Sequence, residues 1–418
     1  MNKFIQPFIF LFCFFCSHAF SQVRQKKVVF IIVDGIPADV IEKVNTPALD
    51  EIAAQGKYMH AFVGGEKSNY TETPTISAVG YNSLLTGTWV NKHNVWDNDI
   101  KEPNYHYPTI FRLLKEQFPA RKIAVFSSWT DNRTKLVGDH LATTGNIDVD
   151  DHADGFELDT LRFPHDKNNA YMHKIDEAVT KAAVEGIKIK APDLSWVYLE
   201  YTDDMGHKFG DSPQYYHAIE QMDSLVGKVW QAVQLRQLHF NEDWLIVVTT
   251  DHGRDEKTGK GHGGQTERQR STWIVTNSNQ LNNYTRYYTP AIVDIMPTIA
   301  RFMNIKLDDN IAREIDGISM IGTVSVSQPK LNFFQNQLTI SWKALDTLGT
   351  AKIWLATENN FKNGNRENYT LMGEVPVQQE HILIDLKNNP SSFYKVVVEG
   401  KYNSVNRWFI SNDNIKRE

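Results

Sequence analysis

The sequence predicts an α/β protein with a doubly wound, mostly parallel sheet flanked by helices, followed by a small antiparallel β-sandwich. Four apolar runs typical of buried parallel strands cover 28–33, 123–126, 196–199 and 245–248. Helical patterns lie between these runs, and strands that alternate with helices are typical of a doubly wound sheet. After Val324 the helical patterns stop and only short extended runs remain, which indicates a separate all-β domain.

Helix boundary signals support the same architecture. One helix is predicted to begin with Thr46 as N-cap and Pro47 in its first turn, and to end at Gly56. Longer helices are predicted over 213–233 and 290–303.

The region 327–418 is predicted to form a fibronectin type III-like β-sandwich, and 22–326 the larger α/β domain. Turn-rich pieces separate the extended runs of the smaller domain. These runs cover 338–342, 352–355, 381–384, 394–398 and 408–410.

Residues 1–21 have the pattern of a signal peptide. Lys3 precedes an apolar run over 8–16, and Ala19 to Ser21 form a cleavage signal with small residues at both ends. The run is too short to span a bilayer comfortably. We therefore expect export to the periplasm or the cell exterior, with no transmembrane anchor in the mature chain.

Charge and cysteine content narrow the classes of partner. Cys13 and Cys16 both lie in the predicted signal peptide, so the mature chain is expected to carry neither disulfides nor reactive thiols. The formal net charge is -6, and loss of Lys3 would make the mature chain one unit more negative. This absence of a basic excess argues against nucleic acid as a main partner.

Three aspartates stand at or shortly after the ends of predicted strands. Asp34 directly follows the first strand, Asp203 follows the third, and Asp251 follows the last. Ligands of open α/β sheets bind outside the carboxyl ends of the strands, so these carboxylates are expected to converge. Each taken singly could instead be an ordinary turn residue or helix cap.

Three histidines strengthen the case for a metal site. His207 lies four residues after Asp203, His252 adjoins Asp251, and His262 sits in a Gly-His-Gly-Gly run. Three carboxylates and three imidazoles suit zinc, and fit manganese or iron less well. The chain has 14 histidines, so an ordinary structural role for any one of them is the competing interpretation.

A nucleophile is expected just before a short apolar helix predicted over 78–85. Ser77 and Thr75 both precede this helix. A hydroxyl at a helix N-terminus lies in positive potential, which favours an alkoxide and an incoming anion. Plain N-capping is the alternative role for such a residue.

Taken in order, these pieces resemble the alkaline phosphatase superfamily, in its type I phosphodiesterase/nucleotide pyrophosphatase branch. The resemblance covers roughly residues 28 to 320 and implies an alkaline-phosphatase-like fold for the larger domain. The matching pieces are Val33-Asp34-Gly35, Pro74-Thr75-Ile76-Ser77, Ser83-Leu84-Leu85-Thr86-Gly87, His93-Asn94-Val95-Trp96-Asp97-Asn98, Asp203 to His207, Thr250-Asp251-His252-Gly253 and Gly261-His262-Gly263.

The resemblance implies two metal ions and a set of residues for each. One ion would be held by two carboxylates, a histidine and the nucleophile hydroxyl, here Asp34, Asp251, His252 and Ser77. The other would be held by Asp203, His207 and His262. The family's nucleophile precedes the glycine of its Thr-Gly pair by ten residues, which selects Ser77. Thr75 is the rival, because this branch more often uses threonine. An Asn twenty-one residues beyond the nucleophile contacts a phosphoryl oxygen in relatives, which selects Asn98.

Two features depart from the pattern of this branch, and two more separate the chain from its cousins in the superfamily. Ala78 stands where this branch usually has an aromatic that stacks a nucleobase, and His262 follows His252 unusually closely. Val79 and Tyr81 replace the Pro and Arg that sulfatases require near their nucleophile. The stretch from the nucleophile to Asn98 contains no Arg to clamp a phosphomonoester, which favours diesters.

These features predict a two-zinc hydrolase of small-molecule phosphoric esters that forms a phosphoserine intermediate. The alternatives are a phosphonate hydrolase or a phosphomonoesterase whose clamp is Lys67, Arg133 or Arg254. A non-catalytic glycan- or protein-binding protein is a third possibility, from a different class.

Overall fold

The structure is a computed structural model that describes residues 24–411. The predicted signal peptide, 1–21, and with it Cys13 and Cys16, lies outside the described residues. Across the part of the chain that is described, no helix is both long and apolar enough to cross a membrane.

The larger domain is built on a mixed sheet of seven strands in the order β2-β7-β6-β1-β5-β3-β4. The five strands from β6 to β4 pair in parallel, whereas β7 and β2 are antiparallel to their neighbours. Their bounds are β1 Gln25–Val33, β2 Lys57–Phe62, β3 Ile123–Ser127, β4 Asp151–Ala153, β5 Leu194–Leu199, β6 Glu242–Thr249 and β7 Ser271–Thr276.

Helices cover both faces of this sheet, as a doubly wound fold requires. Along β1, Phe30 and Ile32 pack into the core on one face, and Val29 and Ile31 into the core on the other. The α-helices are α1 Ala38–Ile41, α2 Pro47–Gln55, α3 Ser77–Thr86, α4 Val90–His93, α5 Ile110–Gln117, α6 Ala170–Glu185, α7 Tyr201–Phe209, α8 Pro213–His239, α9 Glu267–Arg270, α10 Asn283–Tyr287, α11 Ile295–Phe302 and α12 Asp309–Ala312.

The predicted α/β architecture is confirmed, and its central strands are those expected from the sequence. Strands β2, β4 and β7, which lie toward the two edges of the sheet, were not predicted. Edge strands such as β2 alternate exposed and buried residues over a short length, so they lack the continuous apolar run that marks a buried strand.

The smaller domain is an antiparallel sandwich with a sheet of three strands and a sheet of four. The first, second and fifth strands form one sheet, and the remaining four form the other, which confirms the fibronectin type III-like prediction. The strands are β8 Val326–Phe334, β9 Gln337–Ala344, β10 Thr350–Ala356, β11 Thr370–Pro376, β12 His381–Asp385, β13 Phe393–Glu399 and β14 Ser404–Ile410. Strands β8 and β11 were not predicted from the sequence.

The sandwich has its own core, centred on Trp342 and Tyr394. The Trp342 side chain is buried, and its indole donates to the carbonyl of Val377. The Tyr394 hydroxyl donates to the Asn389 carbonyl and accepts from the Ser391 amide, the tyrosine corner of such sandwiches.

Candidate active site

Asp34 and Asp251 lie side by side because they follow neighbouring parallel strands. Strands β1 and β6 pair in parallel with Ile32 opposite Thr249, so both chains leave the sheet at the same edge. The amide of Gly35 donates to Asp251 Oδ1 over 3.2 Å. Both carboxylates are buried.

Asp203 and His207 reach the same edge from the other neighbour of β1. Strand β5 ends at Leu199, and α7 begins two residues later. Asp203 is therefore on the first turn of a helix rather than in a loop. Residues four apart share one helix face, and His207 Nε2 lies 3.2 Å from Asp203 Oδ2.

The two remaining histidines close the group. The ring of His262 stacks on that of His252, with centroids 3.7 Å apart. His262 Nε2 lies 3.0 Å from His207 Nε2. The loop between the two stacked histidines folds back on itself, because Asp255 accepts hydrogen bonds from the amides of Thr258 and Gly261. The unusual closeness of His262 to His252 in sequence is thus compatible with one shared site.

Each of the three carboxylates has one oxygen held by the protein. Asp34 Oδ2 accepts from the hydroxyls of Tyr81 and Tyr198. Asp203 Oδ1 accepts from Arg254 Nη2 over 2.5 Å, and Asp251 Oδ1 accepts from a backbone amide.

The opposite oxygens of Asp34 and Asp251 are buried, and neither accepts a well-aligned hydrogen bond from a donor within residues 24–411. Asp34 Oδ1 and Asp251 Oδ2 lie 3.3 and 3.4 Å from His252 Nε2. A buried carboxylate oxygen without a donor is costly unless a cation satisfies it. The side chains form two groups whose ligand atoms lie within 4.8 Å of one another: Asp203, His207 and His262, and Asp34, Asp203 and His252. This donor set fits divalent metal ions.

The ionisation of these groups reflects the crowding of negative charge. Burial raises the pKa of Asp251 well above its usual range, and repulsion from Asp34 adds to this. Burial by itself would lower the pKa of His252, but Asp251 and Asp34 outweigh it and raise that pKa to about 9. Burial and the neighbouring His252 lower the pKa of His262 to about 4. The site therefore attracts positive charge.

Ser77 and Thr75 face different partners. Ser77 is the first residue of α3, and its Oγ lies 3.4 Å from His252 Nε2. The Thr75 hydroxyl donates to the carbonyl of Gly264 over 2.8 Å and accepts from the amide of Gly263 over 2.9 Å. Thr75 thus anchors the loop that carries His262, and its carbonyl lies 2.9 Å from the Nδ1 of that histidine.

Asn98 lies beside the start of the same helix. Its Oδ1 accepts from the amide of Ala78 over 3.0 Å, which orients the side-chain amide. The residue is exposed, so its Nδ2 group is accessible to a bound substrate.

Three residues that support the site were not identified as such from the sequence. Tyr81 lies among the apolar residues of α3, and Tyr198 among those of β5, so both have the pattern of ordinary core residues. Arg254 was considered only as a phosphate clamp. It is fully buried and donates to the carbonyls of Gly35 and Lys260 as well as to Asp203. A charged residue directly after Asp-His-Gly was the one available signal.

Most of the larger domain matches a family of known proteins. The family model described as type I phosphodiesterase / nucleotide pyrophosphatase matches residues 28–298. Human ectonucleotide pyrophosphatase/phosphodiesterase family member 7 is 23% identical over 250 residues, which cover 56% of this chain and 49% of the human protein. Venom phosphodiesterase CdcPDE of Crotalus durissus collilineatus is 21% identical over 254 residues, 56% of this chain and 27% of that protein. The chain spans about half or less of the length of these curated relatives.

A solved structure extends the likeness in fold to both domains. Ps i-CgsB in complex with k-i-k-neocarrahexaose superimposes with a TM-score of 0.51 at 17% identity, covering 88% of each chain. The low identity restricts this likeness to the fold. The family model, by contrast, matches well over half of the sequence, and it spans every proposed site residue. The chain belongs to the type I phosphodiesterase / nucleotide pyrophosphatase family.

Proposed function

We propose that this protein is a two-zinc hydrolase of small phosphoric diesters that acts through a phosphoserine at Ser77. The main support comes from two buried carboxylates in which one oxygen accepts hydrogen bonds and the other accepts none of good geometry. Asp34 and Asp251 each present a buried oxygen without a well-aligned donor among the described residues, directly beside His252 and the Ser77 hydroxyl.

The proposed ligands fall into two sets. Asp34, Asp251, His252 and Ser77 would hold one ion, and Asp203, His207 and His262 the other. Mixed carboxylate and imidazole donors favour zinc. Two bound zinc ions would supply the Lewis acidity that stabilises a serine alkoxide and the charge on the phosphoryl oxygens.

Ser77 is proposed to act as the nucleophile. The positive end of the α3 dipole favours the alkoxide and attracts the anionic substrate. The Ser77 hydroxyl gives its proton to water, and its Oγ forms a bond to phosphorus as the bond from phosphorus to the leaving oxygen breaks. The leaving oxygen takes up a proton from water. A water molecule then forms the new bond to phosphorus, and the serine oxygen leaves and regains its proton.

Asn98 is proposed to stabilise the phosphoryl group during both steps. Because its Oδ1 accepts from the Ala78 amide, its Nδ2 is the group left to donate. A donor fixed in advance lowers the barrier where negative charge builds on an equatorial oxygen.

The surroundings of the site support diesters over monoesters. Arg254 is bound to Asp203, and Arg133 is bound to Asp139 and Asp154. Lys67 is exposed. Since the two candidate arginines are already neutralised by carboxylates, neither offers a free clamp for a dianionic phosphate.

A non-catalytic binding role is less well supported. Trp342 and Trp354 of the sandwich, which by sequence alone could form a binding surface, both have structural partners. Trp342 is in the core, and the Arg313 guanidinium lies 4.1 Å from the ring centroid of Trp354.

The proposal also covers organisation and location. The pattern of charged, apolar and small residues in 1–21 supports a signal peptide and export. The catalytic domain would comprise 22–326 and the sandwich 327–418.

The experiment compares bis-p-nitrophenyl phosphate with p-nitrophenyl phosphate at equal concentration. Native, chelated and zinc-restored enzyme are assayed, with bound zinc measured in each. We expect about two zinc ions per chain, loss of activity on chelation and a higher kcat/KM for the diester. Full activity without metal would overturn the metal mechanism, and faster monoester cleavage would overturn the substrate class.

A further inference from the structure

We infer that the C-terminal sandwich is a positioning element of the active site, because its strand β14 braces both ends of helix α3. This inference rests on the proposed role of Ser77, the first residue of that helix. The sandwich would thus contribute to catalysis, although none of its side chains belongs to the proposed metal site.

The brace at the C-terminal end of α3 runs through Lys92. This residue lies on α4, shortly after α3 ends, and its side chain is fully buried. Its ammonium donates to Asn406 Oδ1 on β14 over 2.9 Å, to Asp316 Oδ1 over 2.6 Å and to the Glu314 carbonyl over 2.6 Å. All three donors of the lysine are therefore used, and one of them reaches the sandwich.

Asp316 links Lys92 to the C-terminal end of α3. Its second oxygen, Oδ2, accepts from the amide of Trp89 over 2.9 Å. Its own amide donates over 2.9 Å to the carbonyl of Gly87, the C-cap of α3. Asn406 also donates to the carbonyl of Ile315 over 2.8 Å, so β14 holds the segment that caps the helix.

A second link joins α4 to the middle of α3. His93 follows Lys92, and its Nε2 lies 3.0 Å from Ser83 Oγ. The Val95 amide donates to His93 Nδ1, so Nε2 carries the ring proton and donates to Ser83. A shift of Lys92 is thereby passed to the helix that begins with Ser77.

The brace on the N-terminal side runs through Trp408, also on β14. Its ring stacks on Tyr70 with centroids 5.2 Å apart and an interplanar angle of 8°. Its amide donates to the Tyr70 hydroxyl over 2.9 Å. Arg407 adds an ion pair with Glu66. Tyr70 lies on the segment that leads directly into Ser77, so the same strand holds the chain before and after α3.

Buried charged side chains hold the two domains together at this interface. The Lys395 ammonium of β13 is fully buried and lies 2.9 Å from both oxygens of Glu314. The centroid of the Trp408 ring is 5.4 Å from the Lys395 ammonium and 5.6 Å from the Lys92 ammonium. Buried charges that lose a partner are strongly destabilising, so the two domains are expected to separate only with difficulty.

The test uses mild substitutions in the full-length chain. Asn406→Ala and Trp408→Phe weaken the two ends of the brace. Tyr394→Phe is the matched control. It removes the hydroxyl that bonds to the Asn389 carbonyl and the Ser391 amide, and the rings that Tyr394 contacts, Phe333 and Phe409, both lie in the sandwich. For each variant we would measure Tm, kcat and KM for bis-p-nitrophenyl phosphate, and amide hydrogen exchange across 77–86.

We expect both brace variants to lower kcat about tenfold with KM within about twofold, since small displacements of a reacting group are costly. Amide exchange across 77–86 should accelerate. Tyr394→Phe should lower Tm while leaving kcat within about twofold and that exchange unchanged.

Two results would overturn the inference. One is unchanged exchange across 77–86 in both brace variants. The other is an equal loss of kcat in the control and the brace variants, assayed well below their Tm. The exchange measurement needs no turnover, so it decides the brace even where wild-type protein fails to cleave the diester, a result that would count against the proposed function alone.

Discussion

The hydroxyl of Tyr198 donates to Oδ2 of Asp34 over 2.7 Å, and this bond decides which oxygen of the carboxylate remains available. Tyr81 donates to the same oxygen. Both phenols are buried, and burial raises the pKa of each well above its ordinary value, with Asp34 adding to the effect. Both hydroxyls therefore stay protonated and donate to Oδ2, so that Oδ1 is the oxygen available to a metal ion.

We predict that Tyr81→Phe and Tyr198→Phe weaken zinc binding. Loss of a group that orients a metal ligand typically lowers affinity about 10–100-fold. Calorimetric titration of the metal-free protein with zinc measures this directly. Tyr107→Phe is the control, because Tyr107 is also buried and its hydroxyl hydrogen-bonds to nothing among the described residues. Equal zinc affinity in all three variants would contradict the orienting role.

A second prediction concerns the space kept for Arg254. A Cβ atom at Gly206, inside α7, would lie 2.2 Å from the Arg254 guanidinium carbon. Alanine normally stabilises a helix interior over glycine by about 1 kcal/mol. Here we expect Gly206→Ala to destabilise the protein by about 1–3 kcal/mol, as overpacked cores do, and to weaken zinc binding through Asp203.

Gly227→Ala is the matched helix variant for that experiment. Its added Cβ would meet one atom, the Ala48 methyl, at 3.1 Å. We expect its unfolding free energy to stay within about 1 kcal/mol of wild type. Chemical denaturation measures both variants, and a Gly206→Ala protein as stable as wild type would show that Arg254 is not tightly held.

The third prediction concerns acid stability. Burial lowers the pKa of His93 to about 3, from an ordinary 6.5. The folded chain therefore keeps this ring neutral while the unfolded chain protonates it. The stability contributed by His93 is complete above pH 6.5 and is lost as pH falls toward 3. The loss amounts to about 1.4 kcal/mol per pH unit for one proton.

Denaturation at a series of pH values tests this for wild type and His93→Gln. The variant should show a shallower decline in unfolding free energy between pH 6 and 4, by about one proton. His217→Gln, at an exposed position on α8, should keep the wild-type slope. A His93→Gln slope equal to that of wild type would contradict the account.

Much of the candidate site was predictable because its proposed ligands follow central strands. Asp34 directly follows one buried apolar run and Asp251 shortly follows another, and parallel strands end at one edge. The supporting layer was not predictable, because it depends on contacts distant in sequence. Tyr81 and Tyr198 lie 47 and 164 residues from Asp34, and no local pattern records such pairs.

The contacts of the sandwich with the larger domain were likewise not predictable from local sequence patterns. Its short strands and turns were visible in the sequence, and every proposed ligand precedes it. From this order alone, the sequence predicts that a chain ending near Ser327 folds alone and retains metal. The partners of the buried Lys92 and Glu314 lie 314 and 81 residues further along the chain. The first of these contacts is a hydrogen bond to Asn406 and the second an ion pair with Lys395, and such long-range contacts become apparent only in three dimensions.

The fourth prediction separates Thr75 from Ser77. Thr75 holds Gly263 and Gly264 through its hydroxyl, so Thr75→Ala should loosen the His262 loop. We expect weaker zinc binding and a loss of kcat that excess zinc partly restores. Ser77→Ala should retain much of its zinc affinity yet lose kcat by at least about a thousandfold, without rescue by zinc.

Trapping of the covalent intermediate identifies the nucleophile directly. The zinc-loaded enzyme is mixed with bis-p-nitrophenyl phosphate, quenched in acid within the first turnovers, digested and mapped by mass spectrometry. The account predicts a p-nitrophenyl phosphoryl group on Ser77, absent from Ser77→Ala. Ser77 Oγ lies 3.4 Å from His252 Nε2, whereas the Thr75 hydroxyl is bonded to the Gly263–Gly264 backbone. Label on Thr75, or turnover by Ser77→Ala at the wild-type rate, would contradict it.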